Sequence, residues 1–161
     1  MTKRTFIITV LLAVCLPAFG QHLGLSFQEA EEQGIVIKEL DSIYKSAIHA
    51  DTAQAVFKTE EEQRAMFEAY QKLLQDFGGF LSNHDFIWDK STRCFNRIYF
   101  DTDGTIDYFL FNFLEDEPDK LSDEKQKEFQ RLLNLFIADY KIPLTAKSKF
   151  AQCSPTRYAP R

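Results

Sequence analysis

The stretch FNRIYFDTDGTIDYFLFNF, residues 95 to 113, decides the fold. It reads as two β-strands joined by a tight turn. Asp101-Thr102-Asp103-Gly104-Thr105 carries the chemistry of a type I turn closed by a glycine bulge. Asp101 can accept from backbone amides, Asp103 tolerates the bridge region, and Gly104 takes a positive φ without steric cost. The flanks are rich in Phe, Tyr and Ile, residue types that suit a pleated, packed surface.

A three-residue loop sets Asp101 against Thr105, Phe100 against Ile106 and Ile98 against Tyr108. One face then carries Ile98, Phe100, Ile106, Tyr108 and Leu110. The other carries Phe95, Arg97, Tyr99, Phe109, Phe111 and Phe113. A two-residue loop exchanges the second strand's set between faces. In either register both faces are apolar, whereas a hairpin with one wet face alternates with polar residues. The reading therefore places helices over one side. Over the other it places a terminal segment, a partner chain or a ligand.

Upstream of the hairpin, Gln21 to Ser26 reads as a loose N-terminus, and Phe27 to Gln33 as the start of a helix interrupted by Gly34. Ile35 to His49 has helical spacing, with Val36, Leu40, Ile43, Tyr44 and Ala47 on one stripe. Thr59-Glu60-Glu61-Glu62 is a capping box that opens a second long helix. Its apolar residues Met66, Tyr70, Leu73, Leu74, Phe77 and Leu81 recur at helical spacing, and Gly78-Gly79 weakens its end or lets a neighbour approach closely. Trp88, the one tryptophan, precedes a polar link into the hairpin. Downstream, residues 115–119 form an acidic loop. Ser122 caps a helix striped by Phe129, Leu132, Leu133, Phe136, Ile137 and Tyr140. Pro143 stops that helix. Residues 149–158, KFAQCSPTRY, read as a last strand, and Pro155 within it means an edge position or an early end.

The first twenty residues read as a signal peptide. Lys3 and Arg4 form a basic start, Thr5 to Leu16 an apolar run, and Ala18-Phe19-Gly20 a small-residue cleavage site before Gln21. Two alternatives stand beside it. Cys15 would be the lipidated residue of a lipoprotein, or the leader would stay as an anchor, although its apolar run is short of the ~20 residues that span a bilayer. Residues 21–161 then form a single domain, exported to the periplasm or beyond, with no membrane span after cleavage. Loss of Lys3 and Arg4 takes the formal charge from −5 to −7. That balance disfavours nucleic acid and anionic membrane surfaces as partners. Sixteen Phe residues supply a substantial core.

The chain shows no catalytic constellation and no cofactor motif. Asp101 to Asp107 superficially suggests a calcium loop, but an EF-hand needs glycine sixth and glutamate twelfth, and here glycine is fourth and Asn112 stands twelfth. No two of His22, His49 and His84 stand at i, i+4, and Cys-x-x-Cys is missing, so no metal site is expected. Ser154 lacks the glycines of a nucleophile elbow, and Cys153 lacks a nominated base. Cys94 and Cys153 would pair as a disulfide in an oxidising compartment if the last strand lay beside the hairpin in a suitable register; otherwise both stay free thiols.

The order from Phe77 onward is helix, aromatic link, hairpin with Asp-Gly, helix and edge strand. It resembles the C-terminal domain of TonB-type energy transducers over residues 77–158, a β-β-α-β unit preceded by a helix. The pieces that carry the likeness are Phe80 to Asn83, Arg97 to Phe111 around Asp103-Gly104, the helix around Leu132-Leu133-Phe136, and Phe150 to Tyr158. The overall style also resembles uncharacterised exported proteins of Bacteroidetes-type bacteria. The transducers carry an anchor and a proline-rich spacer. This chain has a cleavable-looking leader and helices in their place, so the resemblance implies the fold rather than energy coupling.

The expected class is α+β: N-terminal helices, then a β-β-α-β unit with a small antiparallel sheet and helices on one face. The expected function is a non-enzymatic interaction module that takes an envelope protein, or a second copy, by strand addition. In the resembled family the last strand is an exposed edge, which here implies Phe150, Gln152, Ser154, Arg157 and Tyr158 as contact residues. The alternative is a small-molecule pocket lined by Trp88, Tyr99, Tyr108 and Phe109, with Arg97 as its charged handle.

Overall fold

A computed structural model describes residues 22–116 and 118–160. The proposed leader and its cleavage site therefore lie outside the described residues. In chain order the elements are β1 (Leu23–Ser26), α1 (Phe27–Glu32), α2 (Ile37–Ile43), β2 (Lys45–Ser46), a 3-10 turn (Thr52–Gln54), α3 (Glu60–Asn83), β3 (Thr92–Phe100), β4 (Ile106–Phe113), α4 (Asp123–Asp139) and β5 (Phe150–Tyr158). The strands form one sheet in the order β1-β4-β3-β5-β2. The class is α+β, but the sheet is mixed. β3 is antiparallel to both neighbours, while β1 runs parallel to β4 and β2 parallel to β5.

The turn forms as its residues dictate. Gly104 sits at φ 89° and donates to the Asp101 carbonyl at 3.0 Å, while Asp101 donates to Thr105 at 2.9 Å. A Cβ on Gly104 would lie 2.5 Å from the Ile142 carbonyl oxygen, so the close approach of that loop also demands glycine.

Phe100 faces Ile106 as expected, but beyond that pair the register slips. Tyr99 faces Tyr108, Ile98 faces Phe109 and Arg97 faces Leu110. The extra residue is Asp107, and the bulge has a cause. Its carboxylate accepts from Tyr44 Oη and from Lys149 Nζ, each at 2.7 Å. Phe109 and Phe111 are thereby turned to the side of Ile98 and Phe100, and Tyr108 and Leu110 to the side of Tyr99. A one-residue offset exchanges faces in this way.

Both faces are covered by this chain itself. On one, α3 and α4 pack their stripes over Ile98, Phe100, Ile106, Phe109, Phe111 and Phe150. Phe129 is the hub, with its ring against those of Phe77, Phe86, Trp88, Phe111, Phe113 and Tyr158. Both long helices begin at the expected caps: Thr59 accepts from the Glu62 amide and Ser122 from the Lys125 amide. On the other face lies the N-terminal segment, which puts Leu25, Ala30, Leu40 and Tyr44 over Tyr99 and Leu110. Helices on both faces replace the expected one-sided packing.

Two further expectations are corrected. Leu23–Ser26 is a strand rather than a loose end, held against Tyr108–Phe111. The stripe from Val36 to Ala47 does not form one helix. α2 stops at Ile43, and the chain turns at Tyr44 into β2. Val36 and Ile43 point to solvent as a result. Tyr44 leaves the helix because its hydroxyl reaches the buried Asp107.

Candidate functional site

A sheet's edges are where its backbone donors and acceptors lack partners. At the β1 edge this problem is solved. Asn134 of α4 accepts from the Gly24 amide and donates to the Gly24 carbonyl, both at 2.9 Å, and Gln130 donates to the same carbonyl at 3.1 Å. Gly24 permits this closeness, since a Cβ there would lie 2.8 Å from Leu133 Cδ2.

The β5 side is closed over only part of its length. Lys45 and Ala47 donate to the carbonyls of Lys149 and Ala151, at 3.1 and 2.8 Å. β2 is covered in turn, because Val56 and Phe57 donate to Ser46 and Ala47. Past Ala47 the chain turns away. β5 continues to Tyr158, paired with β3 throughout in an unbroken register.

Those bonds also identify which groups look outward. Lys149 and Ala151 turn their carbonyls away from β3, and alternation along an antiparallel strand gives Cys153, Pro155 and Arg157 the same direction. Pro155 thus faces its missing N–H into the open edge, where it costs the β3 ladder nothing. The open stretch presents carbonyls at Cys153, Pro155 and Arg157, the first of them accepting from Gln152 Nε2 at 3.2 Å, and amides at Cys153 and Arg157 only.

Beside this stretch lies a groove of about 610 Å³, bordered by Leu74, Gly78 and Ser82 of α3, by Ile87, and by Thr156 to Ala159. Trp88 and Tyr158 border it too, with their rings stacked at 4.6 Å. Phe67, about two and three helical turns before Leu74 and Gly78 on the same stripe, is 53 % exposed, and Ile87 is 70 % exposed. Gly78 leaves open space where a side chain would stand. A backbone edge that no strand covers and a groove that holds Leu74 and the exposed Ile87 therefore lie together, beside α3.

The residues named for this edge divide. Phe150 is wholly buried and paired with Lys45, so it offers no contact. Gln152, Ser154 and Tyr158 are even-numbered and turn their backbone groups to β3. Ser154 Oγ lies 3.0 Å from Tyr70 Oη, and Tyr158 is buried. Only Arg157 offers outward backbone groups. Cys153 and Pro155 supply the rest, and the sequence contained the signal for them. A strand proline turns its nitrogen away from a paired neighbour, so Pro155 selects the odd-numbered residues.

Cys94 and Cys153 do not pair with each other. Cys94 faces Thr156 across the strands and points into the α3 side, while Cys153 faces Arg97 and points to the opposite side. Both are free thiols, one buried and one exposed. Burial pushes the Cys94 thiol up to about 12. The residues of the alternative pocket are likewise split by the sheet. Trp88 and Phe109 are buried with α3 and α4, and Tyr99 and Tyr108 lie on the other side. Arg97 borders a hollow of about 320 Å³ there, but its Nη2 is committed to Asp41 at 2.6 Å, and Tyr99 Oη donates to the same carboxylate at 3.0 Å. The pocket as expected is not assembled.

Among the described residues no group of three His, Cys, Asp or Glu is placed to hold a metal ion. Among them, too, no helix is long and apolar enough to cross a membrane. The acidic turn is engaged by lysines: Lys149 bridges Asp101 and Asp107 at 3.0 and 2.7 Å, and Lys141 meets Asp103 at 2.8 Å. Desolvation alone would lower the Lys149 ammonium, but its bonds to Asp107 and Asp101 more than offset this and push it up. No family model, curated protein or solved structure matches this chain, so the site is read from its own geometry.

Proposed function

We propose that this chain is a non-enzymatic protein-interaction module, exported to the bacterial envelope, that receives an extended segment of a partner at the open half of β5. The observation that carries this reading is the outward backbone from Cys153 to Arg157, which no neighbouring strand covers, next to the groove that holds Leu74 and the exposed Ile87. In strand addition the main-chain bonds supply affinity and alternate side-chain positions supply selectivity. The likeness of β3-β4-α4-β5 to the TonB-type C-terminal unit supports the same role for the last strand. A second copy docked through the same edge is the homotypic form of this reading.

Hydrogen exchange tests it. In the isolated protein the Cys153 and Arg157 amides exchange fast, while those of Gln152 and Thr156 are protected by β3. In a complex purified from the envelope, both fast amides become protected. Cys153→Pro removes one outward donor, leaves the inward ladder whole, and weakens the complex. A complex that leaves both amides fast, or that survives Cys153→Pro undiminished, overturns the reading.

A further inference from the structure

We infer that the segment received at β5 is two-faced, with apolar residues alternating with acidic ones. This rests on the strand-addition reading and specifies its partner. An added strand must alternate its side chains between the two sides of the sheet. On the α3 side they would enter the groove lined by Leu74, Ile87 and Trp88, where Gly78 leaves room and Asp85 disfavours an acidic side chain. That side selects apolar residues.

The opposite side has a different character. Arg157 stands directly across from Arg93 on β3. Because odd-numbered residues of β5 turn their backbone groups outward, this is a non-hydrogen-bonded pair, in which side chains approach most closely. Like charges so placed repel. Arg93 is neutralised by Glu115, which accepts from its Nε at 2.9 Å and from its amide at 2.9 Å. Arg97, further along the same face, is neutralised by Asp41. Arg157 has no carboxylate among the described residues. Its one side-chain contact is Ser91 Oγ at 3.4 Å, and it is exposed. One uncompensated positive charge thus overhangs the open edge, on the side that receives every second residue of the incoming strand. A carboxylate at that position relieves the Arg93–Arg157 repulsion as it binds. A second copy supplies the opposite: it brings another Arg157 to the same face.

Two synthetic seven-residue peptides test this, one alternating valine with glutamate and the other valine with lysine. Binding is followed by titration of the ¹⁵N-labelled full chain, reading the Cys153 and Arg157 amides. The glutamate peptide is expected to bind about tenfold more tightly, the scale of one or two charge contacts at an interface rim. Arg157→Glu keeps the fold, since it creates an opposite-charge pair with Arg93, and it reverses the preference. Leu74→Asp weakens both peptides. Equal binding of the two peptides, or a preference that Arg157→Glu leaves unchanged, overturns the two-faced partner while strand addition stands. Binding of neither peptide, with the edge amides unmoved at millimolar peptide, overturns both. A chain that dimerises through this edge without peptide replaces the acidic partner with a second copy.

Discussion

The two edges of the sheet are finished in different ways. At β1, four residues are closed by a side-chain amide from α4 that both donates to and accepts from Gly24. At β5, a longer strand is closed by two residues of β2 and then left open, with one proline set into the gap. Closure by Asn134 is specific and leaves no groups to share. Closure by Pro155 only removes a donor. Proteins that gain nothing from an open edge block it with charge, proline or a covering segment. Here one edge has full cover, and the other has a single guard beside exposed apolar side chains. The contrast favours a retained edge over an accidental one.

Breaking the closed edge should have the largest effect on stability. Gly24→Ala drives a methyl into Leu133 and is expected to cost about 3 kcal/mol, the upper range for overpacking, read as a lower urea midpoint. Asn134→Ala leaves the Gly24 amide without its partner and is expected to cost about 2 kcal/mol in the same assay.

The closed half of β5 is fastened by Lys149, and this contact depends on pH. The bond from Lys149 is the first cause holding the Asp101 carboxyl below the usual carboxylate range. A depressed carboxyl contributes stability that is fully present above its unfolded pKa of about 3.9 and is lost as pH falls through the folded value. Stability should therefore fall on acidification below about pH 4, and Lys149→Met should flatten that slope. An unchanged slope in the variant would assign the acid sensitivity to other carboxylates.

At the far end of the open half, the Tyr158 hydroxyl is buried with no hydrogen-bond partner. Tyr158→Phe keeps the stack on Trp88 and should raise stability by about 1 kcal/mol, the low end of the cost of an orphaned buried hydroxyl. The smallest effect on stability belongs to Pro155→Val. It restores a donor to the open edge and is expected to leave the urea midpoint within ~0.5 kcal/mol while making sedimentation concentration-dependent.

The β5 side of this contrast was legible in part in the sequence and the β1 side was not, and the limits have physical causes. The turn at Asp101–Thr105 and the caps at Thr59 and Ser122 are local chemistry, and they form where they were read. Pro155 allowed an edge position or an early end, and β5 takes the first, running on to Tyr158. The bulge at Asp107 was not legible, because its cause lies with Tyr44 and Lys149, which are distant in sequence. β1 and β2 were missed because four and two residues carry no usable period. Their parallel pairing is decided by what the rest of the chain leaves open. For the candidate site, the strand was legible but its sealed half was not. The part played by Leu74 and Ile87 follows from how α3 and the link after it lie beside β5, which no local pattern encodes.

Cys94 and Cys153, on opposite sides of one sheet, also make the folded domain its own clock. Cys153 is exposed at the open edge, so an alkylating reagent reaches it in the folded protein and a docked strand should shield it. Cys94 is buried under α3, with its Sγ donating to Asn96 Oδ1 at 3.2 Å and its thiol held protonated by burial. It can react only when β3 and α3 part. Alkylation followed by mass at these two positions would then show two phases, one timing the occupancy of the edge and the other the opening of the core, with no residue changed.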